Sequence, residues 1–245
     1  MDDMLYIATS AANQTMMAQA VNANNLANVS TTGFKADLLA FQSIPLDGQQ
    51  ISGRVYAMVE QNGVDLSPGP VTTTGSELDV AVSGEGWIAV QDADGSEAYT
   101  RSGSLRVTST GALINGVGRP VLGNGGPIAI PPAEKIEIGD DGTISIRPEG
   151  QTPSALVVID RIKLVNPDQN ELIKSEDGLL RLQDGSIAVP DARVRLISGS
   201  LEMSNVNAVD AMVNMIALSR QFEAEVKLMK IAEEIDSAST QLMSI

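Results

Sequence analysis

A predicted helix fills with asparagine near its end, in the segment Asn22-Ala23-Asn24-Asn25-Leu26-Ala27-Asn28-Val29-Ser30-Thr31-Thr32-Gly33-Phe34. Asparagine is a poor helix former, so the asparagines of this segment together oppose the helix by about 2 kcal/mol. A side-chain amide both donates and accepts hydrogen bonds, which suits it to pairing with the backbone of a packed neighbour. We therefore expect this end of the helix to be covered by other elements or by other subunits.

The residues before and within this segment predict a single helix with an alanine-rich stripe. Its apolar residues recur at steps of three and four, which places them on one face. Small side chains let two helix axes approach closely, and Gly33 lies where a glycine often follows a helix end. The expected stripe consists of Leu5, Ala8, Ala12, Met16, Ala20, Ala23 and Ala27.

A second helix is predicted from about Asn205 to the end of the sequence, with apolar residues along three lines. The second of these lines has the three-four alternation of a coiled-coil seam, although it is short for that assignment. A single partner helix cannot cover all three lines. They are Met212, Met215, Phe222, Val226 and Met229; Leu228, Ile231, Ile235, Ala238, Leu242 and Ile245; and Val206, Val209, Val213 and Ile216.

Turn signals divide the middle of the chain into short segments. Asp-Gly and Asn-Gly pairs favour hairpin turns because both residues tolerate a positive φ, and here they run from Asp47-Gly48 to Asp184-Gly185. The prolines keep to the same part of the chain, between Pro45 and Pro190. The runs between the turns are rich in β-branched residues, which predicts an antiparallel β domain.

These patterns together predict an α+β fold. Long amino-terminal and carboxy-terminal helices pack together in a coiled-coil-like helical domain and flank a mainly antiparallel β domain. The expected divisions are residues 1–33 for the first helix, 34–75 for an extended or partly β connector, 76–195 for the β-rich domain, and 196–245 for the second helix.

The composition excludes several classes of protein. The chain has no cysteine and no histidine, which removes disulfides, thiolate nucleophiles, imidazole bases and the commonest zinc ligands. A formal charge of -15 opposes nucleic-acid binding, which depends on basic residues. No apolar run is long enough to cross a membrane, so we expect no direct membrane insertion. The acidic start Met1-Asp2-Asp3-Met4 predicts export without a cleavable signal peptide.

Three motifs that could carry chemistry are better interpreted as turns. Gly84-Glu85-Gly86-Trp87-Ile88-Ala89 has the spacing of a dinucleotide fingerprint, but a strand rather than a helix is predicted after its glycines. The segments at residues 92–96 and 140–142 lack most of a calcium loop. The number of carboxylates does not exclude a pair of catalytic acids like that of a glycosidase, but nothing in the sequence distinguishes two of them as such a pair. We expect no catalytic residue, no metal, no cofactor and no enzymatic activity.

The uncovered helix faces predict self-assembly. Burying one exposed leucine or isoleucine side chain contributes about 1.5 to 3 kcal/mol. A line of such side chains exposed to water therefore favours association with another subunit. The alternative is that the two helices cover each other and the β domain within one chain. The predicted assembly interface is Leu5, Ala8, Ala12, Asn22, Asn24, Asn25, Leu26, Asn28, Phe34, Met212, Ile216, Phe222, Val226, Leu228, Ile231, Ile235 and Leu242.

Four blocks of the sequence, in order, resemble the rod and hook family of bacterial flagellar axial proteins. Within that family the length and the segment at residues 215–230 are most similar to proximal rod members, with distal rod members as the alternative. The blocks are Asn24-Asn25-Leu26-Ala27-Asn28-Val29-Ser30-Thr31-Thr32-Gly33-Phe34-Lys35; Gly69-Pro70-Val71-Thr72-Thr73-Thr74-Gly75 with Leu78-Asp79-Val80-Ala81-Val82-Ser83-Gly84-Glu85-Gly86-Trp87; Ala98-Tyr99-Thr100-Arg101-Ser102-Gly103-Ser104-Leu105; and Leu201-Glu202-Met203-Ser204-Asn205-Val206-Asn207.

The resemblance implies a structural subunit of the rod, the drive shaft that crosses the periplasm. It implies export by the flagellar type III apparatus and assembly with itself and with other rod subunits. It also implies that both chain ends build an inner helical domain, with the β domain outside it. The alternatives outside the family are an exported surface polymer or adhesin, or a carbohydrate-binding module, which would need clustered aromatic residues that this sequence lacks.

Overall fold

The computed structural model describes residues 2–45, 55–148, 156–175 and 177–243, and within them the side chains of residues 7–39, 63–148, 156–175 and 177–235. The chain forms two compact units. The helical unit comprises Met1–Asn28, Asp37–Gly63 and Val206–Ile245, and the β unit comprises Val29–Ala36 and Val64–Asn205. The expected fold class is confirmed, because the two terminal helices pack together and flank many antiparallel sheets in the chain.

The helical unit contains α1 (Asp2–Ala27), β1 (Asp37–Pro45), β2 (Val55–Val64) and α2 (Ala208–Met243). β1 pairs with β2. α2 begins after Asn207, whose side-chain Oδ1 accepts a hydrogen bond from the backbone of the first turn at 3.0 Å. Such a cap satisfies an amide that would otherwise have no partner at a helix start.

α1 and α2 run antiparallel, because three hydrogen bonds join them in opposite order. Early in α1, Thr9 donates to the Sδ atom of Met229. Thr15 donates to Glu225, and the side chain of Asn22 donates to the carbonyl oxygen of Ala211. The start of α1 therefore meets the later part of α2, and its end meets the beginning of α2.

The buried residues between the two helices form a line that we call the seam. It alternates in steps of three and four along α2, which is the spacing of a coiled coil. The seam comprises the buried residues Ala8, Ala12, Thr15, Ala211, Glu225 and Ala232 and the half-buried residues Met215, Leu218, Phe222 and Met229.

The stripe predicted for α1 is right for Ala8 and Ala12 and wrong beyond them. Met16 is 54 % exposed, and the stripe's later alanines are exposed as well. The seam passes instead through Thr15 and Asn22, because both side chains make hydrogen bonds to α2. An apolar count cannot find such positions, since they are polar. The side chain of Leu5 lies outside the described residues.

In its described residues, 64–148, 156–175 and 177–205, the β unit contains sixteen short strands and one 3-10 turn at Gln169–Glu171. The strands are β3 (Val71–Thr73), β4 (Val80–Ser83), β5 (Trp87–Gln91), β6 (Glu97–Thr100), β7 (Leu105–Val107), β8 (Leu113–Asn115), β9 (Leu122–Gly123), β10 (Gly126–Pro127), β11 (Ala133–Ile138), β12 (Thr143–Pro148), β13 (Val157–Arg161), β14 (Leu164–Val165), β15 (Leu172–Lys174), β16 (Leu180–Leu182), β17 (Arg195–Ser198) and β18 (Ser200–Glu202).

The described strands of the β unit pair antiparallel. The largest sheet has the order β14-β5-β6-β16-β15, and a second sheet has the order β11-β12-β13. β3 pairs with β18 and β4 with β17, so strands from the two ends of the unit lie side by side. In the register of the central pair, Ala89 lies opposite Tyr99, and both are fully buried.

Two apolar clusters form the core of the β unit. The larger lies under β4, β5, β7, β8, β11 and β12, and the smaller contains Trp87 and Tyr99 on the other side of the central strands. Burial raises the pKa of Tyr99 to about 12, and its hydroxyl accepts a hydrogen bond from the backbone of Ala188 at 2.7 Å. This phenol is therefore a neutral structural group.

The three motifs that we interpreted as turns are turns in the structure. Residues 84–86 connect β4 to β5, with a positive φ at Gly84 and Gly86. Residues 92–96 and 139–142 close the hairpins β5-β6 and β11-β12. Within the part of the chain that the structure describes, no group of acidic residues is arranged to hold a metal ion, and no helix is long and apolar enough to span a membrane.

Candidate assembly surfaces and a buried charged junction

Two of the four asparagines in the opening segment bond to the backbone of other elements. Asn22 Nδ2 donates to the carbonyl oxygen of Ala211 at 2.7 Å. Asn25 bonds twice to the backbone of Asp37, donating through Nδ2 at 2.9 Å and accepting through Oδ1 at 2.8 Å. These amides fix the start of α2 and the start of β1 against the end of α1, and they offset part of the helix propensity that asparagine loses.

The other two asparagines lie at the surface end of α1. Asn28 Nδ2 donates to the carbonyl oxygen and to the Oδ1 atom of Asn24, at 3.0 and 3.2 Å. Asn24 is exposed, whereas Leu26 is half-buried. The structure thus leaves Asn24 as the amide of this segment most open to a neighbouring molecule.

The predicted interface residues of α2 lie mostly in the open. Phe222 is half-buried in the seam, while Met212, Ile216, Val226, Leu228, Ile231 and Ile235 are between 42 % and 56 % exposed. The side chain of Leu242 lies outside the described residues. The part of the predicted coiled-coil seam that the structure describes, Leu228, Ile231 and Ile235, is therefore not the line that meets α1.

Among the side chains of α2 that the structure describes, up to Ile235, two apolar strips remain uncovered. The first apolar strip is Val209, Met212, Val213 and Ile216, and the second apolar strip is Leu228, Ile231 and Ile235. Neither strip shares a residue with the seam, so α1 covers neither of them. Exposed apolar strips of this kind mark surfaces for association.

The surface of α1 carries no charge after its first two residues. The sequence has no acidic or basic residue from Met4 to Phe34. Ile7, Met16 and Met17 are at least 50 % exposed on this helix, beside exposed amides and alanines. A helix that faces only water ordinarily carries charged residues on its exposed side. The exposed side of α1 is suited to contact with protein.

Phe34 belongs to the β unit rather than to the helices. Its ring is half-buried, and the ammonium group of Lys174 lies 4.0 Å from the ring centroid. The same ammonium donates to the carbonyl oxygen of Lys35 at 2.8 Å. Phe34 thus has a partner within its own unit.

A buried ion cluster lies next to Phe34, and we call it the charged junction. Its members are Lys35, Arg101 and Glu202, which are 3 %, 3 % and 1 % exposed. Lys35 Nζ donates to Glu202 Oε1 at 2.6 Å, and Arg101 Nη1 donates to Glu202 Oε2 at 2.9 Å. The indole ring of Trp87 lies against both cations, 4.9 Å from the Arg101 guanidinium carbon and 5.9 Å from Lys35 Nζ.

The electrostatics of the charged junction follow from its burial. Burial lowers the pKa of Lys35, and the hydrogen bond and charge of Glu202 oppose this shift without cancelling it. Burial acts to raise the pKa of Glu202, but the bonds from Lys35 and the Gly69 amide and the charge of Arg101 outweigh it, so the pKa lies below its usual value. Glu202 is therefore ionised at neutral pH.

Several chain segments converge on the charged junction. The Gly33 amide donates to the Glu202 carbonyl oxygen at 2.8 Å. The Asn205 side chain joins two further segments, accepting from the Ala36 amide at 2.8 Å and donating to the Asp65 carbonyl oxygen at 2.8 Å. Residues 33–36, 65–69 and 202–205 are therefore fastened to one another where they leave the β unit.

Sequence reasoning missed the charged junction, although a signal for it was present. Lys35 and Glu202 are 167 residues apart in the sequence, and the spacing of apolar residues gives no sign that they make contact. Each of the four blocks that carried the resemblance nevertheless contributes to it. Lys35 closes the first block, Trp87 the second, and Arg101 and Glu202 lie in the third and fourth.

Comparison with known proteins finds three family models that overlap the four blocks, although none matches residues 69–80. The family model described as flagella basal body rod protein matches residues 5–35. The model described as flagellar hook protein FlgE/F/G D1 domain matches residues 81–146. The model described as flagellar basal body rod FlgEFG protein C-terminal matches residues 197–242.

Full-length relatives agree with these matches. The flagellar basal-body rod protein FlgF of Salmonella typhimurium is 42 % identical over 251 residues, covering 100 % of both chains. The FlgF protein of Escherichia coli is also 42 % identical, with 100 % of both chains covered. The rod protein FlgG of Bacillus subtilis is 33 % identical, covering 86 % of this chain and 88 % of its own. The chain belongs to the flagellar basal-body rod protein family and is a structural, non-enzymatic rod subunit that assembles with other rod subunits.

Proposed function

We propose that this chain is a proximal rod subunit of the F type. It assembles with copies of itself and with other rod proteins into the drive shaft that crosses the periplasm, and its terminal helices make the contacts. The support for the F type is the 42 % identity to FlgF relatives over the whole chain. The FlgG relative is 33 % identical over 86 % of the chain, which makes a distal rod subunit the second candidate.

The observation that carries the proposal is the pair of uncovered apolar strips on α2. Their seven residues are each about half exposed. Complete burial of one such side chain contributes about 1.5 to 3 kcal/mol, so covering the exposed halves of both strips would contribute roughly 5 to 10 kcal/mol. That is enough to hold subunits together once each subunit has several neighbours.

The absence of charge on the surface of α1 after its first two residues also supports the proposal. Its exposed amides and methionines carry no charge that would have to be desolvated. A neighbouring subunit can therefore cover this surface without the penalty that buried charge carries. An adhesin or surface polymer outside the family would not account for the full-length similarity to rod proteins.

The test places a charge in the second apolar strip. In cells lacking their own copy of the gene, Leu228→Glu or Ile231→Glu should abolish incorporation into basal bodies and abolish motility, because a charge would be buried in the interface. Purified variants should keep the fluorescence of Trp87 and the β-type circular dichroism of the parent. Lys227→Gln, which changes an exposed residue of the same turn, is the matched control and should remain motile.

Normal motility of both glutamate variants would contradict the proposal. Export by the flagellar type III apparatus is part of the same proposal and is tested separately. The chain should stay inside cells that lack the export apparatus, while a protein exported by the general secretory route leaves those cells normally.

A further inference from the structure

The seam between α1 and α2 contains one buried polar layer. Thr15 and Glu225 are 3 % and 7 % exposed, and Thr15 Oγ1 donates to Glu225 Oε1 at 3.0 Å. Gln221 Nε2 donates to the same oxygen at 3.0 Å. The second carboxylate oxygen, Glu225 Oε2, is buried without a hydrogen-bond partner.

This layer is unfavourable for stability. A buried oxygen without a partner loses its hydration and receives no hydrogen bond in return, and the loss is larger for a charged group. An apolar residue of similar size at position 225 would fill the seam without this loss. Glu225 is therefore better explained by the alternative alignments of α1 and α2 that it disfavours than by any stability that it adds to the chain.

Apart from the bonds of Thr9 to Met229 and of Asn22 to the Ala211 carbonyl, the contact between the helices offers little to fix the position of α1 along α2. Charged flanking residues often set the alignment of paired helices, but α1 has no charge after Asp3. The seam is otherwise rich in alanine and methionine, which are small or adaptable and tolerate displacement. A slide by one helical turn would keep most of the seam apolar.

We propose that the contact between Thr15 and Glu225 specifies the register of α1 against α2. A slide in either direction removes the Thr15 hydroxyl from the carboxylate, so that Glu225 Oε1 keeps only the bond from Gln221 and Glu225 Oε2 still has no donor. A slide by one heptad that brings Asn22 to Glu225 would supply an amide, but it would break the bond of Asn22 to the Ala211 carbonyl. A polar residue at one seam position is a known means of fixing register.

The register has a consequence for the outer surface. It sets the position of the two apolar strips of α2 relative to the exposed amides of α1, which together make the surface offered to a neighbour. The inference concerns the chain itself, so it stands or fails independently of the proposed place in the rod.

The absence of native cysteine permits a direct test. Spin labels are attached to Asn13→Cys on α1 and Lys230→Cys on α2, both exposed positions outside the seam. Distance distributions are then measured in purified full-length chain with Glu225 retained, with Glu225→Gln and with Glu225→Leu. Glu223→Leu, at an exposed carboxylate of the same helix, is the matched control.

We expect one narrow distance in the parent, in Glu225→Gln and in Glu223→Leu. Glu225→Leu should add or substitute a second distance, from an axial slide of about 5 Å for one turn or about 10 Å for a heptad. Its helical circular dichroism should melt at a temperature no lower than that of the parent. A single unshifted distance in Glu225→Leu, a broad distribution in the parent, or a Glu225→Leu variant with lost helicity would each overturn the proposal.

Discussion

At the scale of single residues, Glu202 is the side chain that holds the charged junction together. It accepts hydrogen bonds from Lys35, from the Gly69 amide and from Arg101, and it is the only anion between two buried cations of the charged junction. Without it, both cations would lose the one carboxylate that bonds to them, and they would keep only the carbonyl oxygens of Ser67 and Gly84, the ring face of Trp87 and, for Lys35, the charge of Asp65. The junction therefore depends more on Glu202 than on either cation.

Glu202→Gln should lower the free energy of unfolding of the β unit by about 3 to 5 kcal/mol, the usual result of removing one partner of a buried ion pair. Lys35→Met should cost less, because Glu202 keeps Arg101 and the Gly69 amide. Urea unfolding followed by the fluorescence of Trp87, the single tryptophan of the chain, measures both. The exposed Glu137→Gln is the control, and a Glu202→Gln variant as stable as that control would contradict the expectation.

The same pair of proteins reports the pH dependence of the junction. Because the pKa of Glu202 is lowered by folding, its contribution is present above its usual value of 4.5 and is lost as the pH falls below that value. The difference in unfolding free energy between the parent and Glu202→Gln should therefore be constant from neutral pH down to about 5 and shrink at lower pH. A difference that grows on acidification would have the wrong sign.

Gly33 in the opening segment packs closely against the backbone of a segment that is distant in sequence. Its φ is +69°, and a Cβ atom there would lie 2.2 Å from the backbone nitrogen of Ser102. Gly75 has a similar φ of +75° with nothing near, which makes it a matched control.

Gly75→Ala should cost about 1 to 2 kcal/mol from backbone strain alone. Gly33→Ala should cost clearly more, because the strain is joined by a clash with backbone that cannot move aside. Unfolding in urea compares the two variants. An equal loss of unfolding free energy in the two variants would mean that residues 29–36 do not pack against the rest of the β unit in solution.

At the scale of elements, periodicity was enough to predict both helices but not which faces meet. Apolar spacing offered three lines on α2, and α1 meets a line that runs through Ala211, Leu218 and Glu225. That choice is made by Thr15 and Asn22, whose polar side chains reach α2. A count of apolar residues gives such positions no weight, which is why the predicted stripe on α1 failed after Ala12.

Replacing two asparagines at the end of α1 by alanine should change the stability of the helical unit in opposite directions. Asn25→Ala should destabilise the helical unit by about 1 kcal/mol, because two hydrogen bonds to Asp37 are lost and only part of that is regained in helix propensity. The exposed Asn24→Ala should be neutral or stabilising by about 0.5 kcal/mol. Thermal unfolding followed by far-ultraviolet circular dichroism separates them, and equal shifts in both variants would contradict the assignment.

At the scale of the whole molecule, the turn signals predicted an antiparallel middle flanked by helices, and the structure confirms that class. The pairing of β3 with β18 and of β4 with β17 was not predictable, because the partners are far apart in sequence and the strands are three or four residues long. The division of the chain at residues 33, 75 and 195, and the set of interface residues, stay predictions. The four blocks were the better guide, since each contributes a residue to the charged junction.

The separation of Lys35 from Glu202 has a consequence for the order of folding. Closing a flexible loop of 167 residues costs about 4.5 kcal/mol in chain entropy, so this contact forms after nearer pairings have shortened the path. In a chain synthesised from its amino end, Lys35 exists long before its counter-ion does. The junction is thus a late closure, which is completed only after residue 202 has been made, and until then Lys35 lacks the carboxylate that neutralises it.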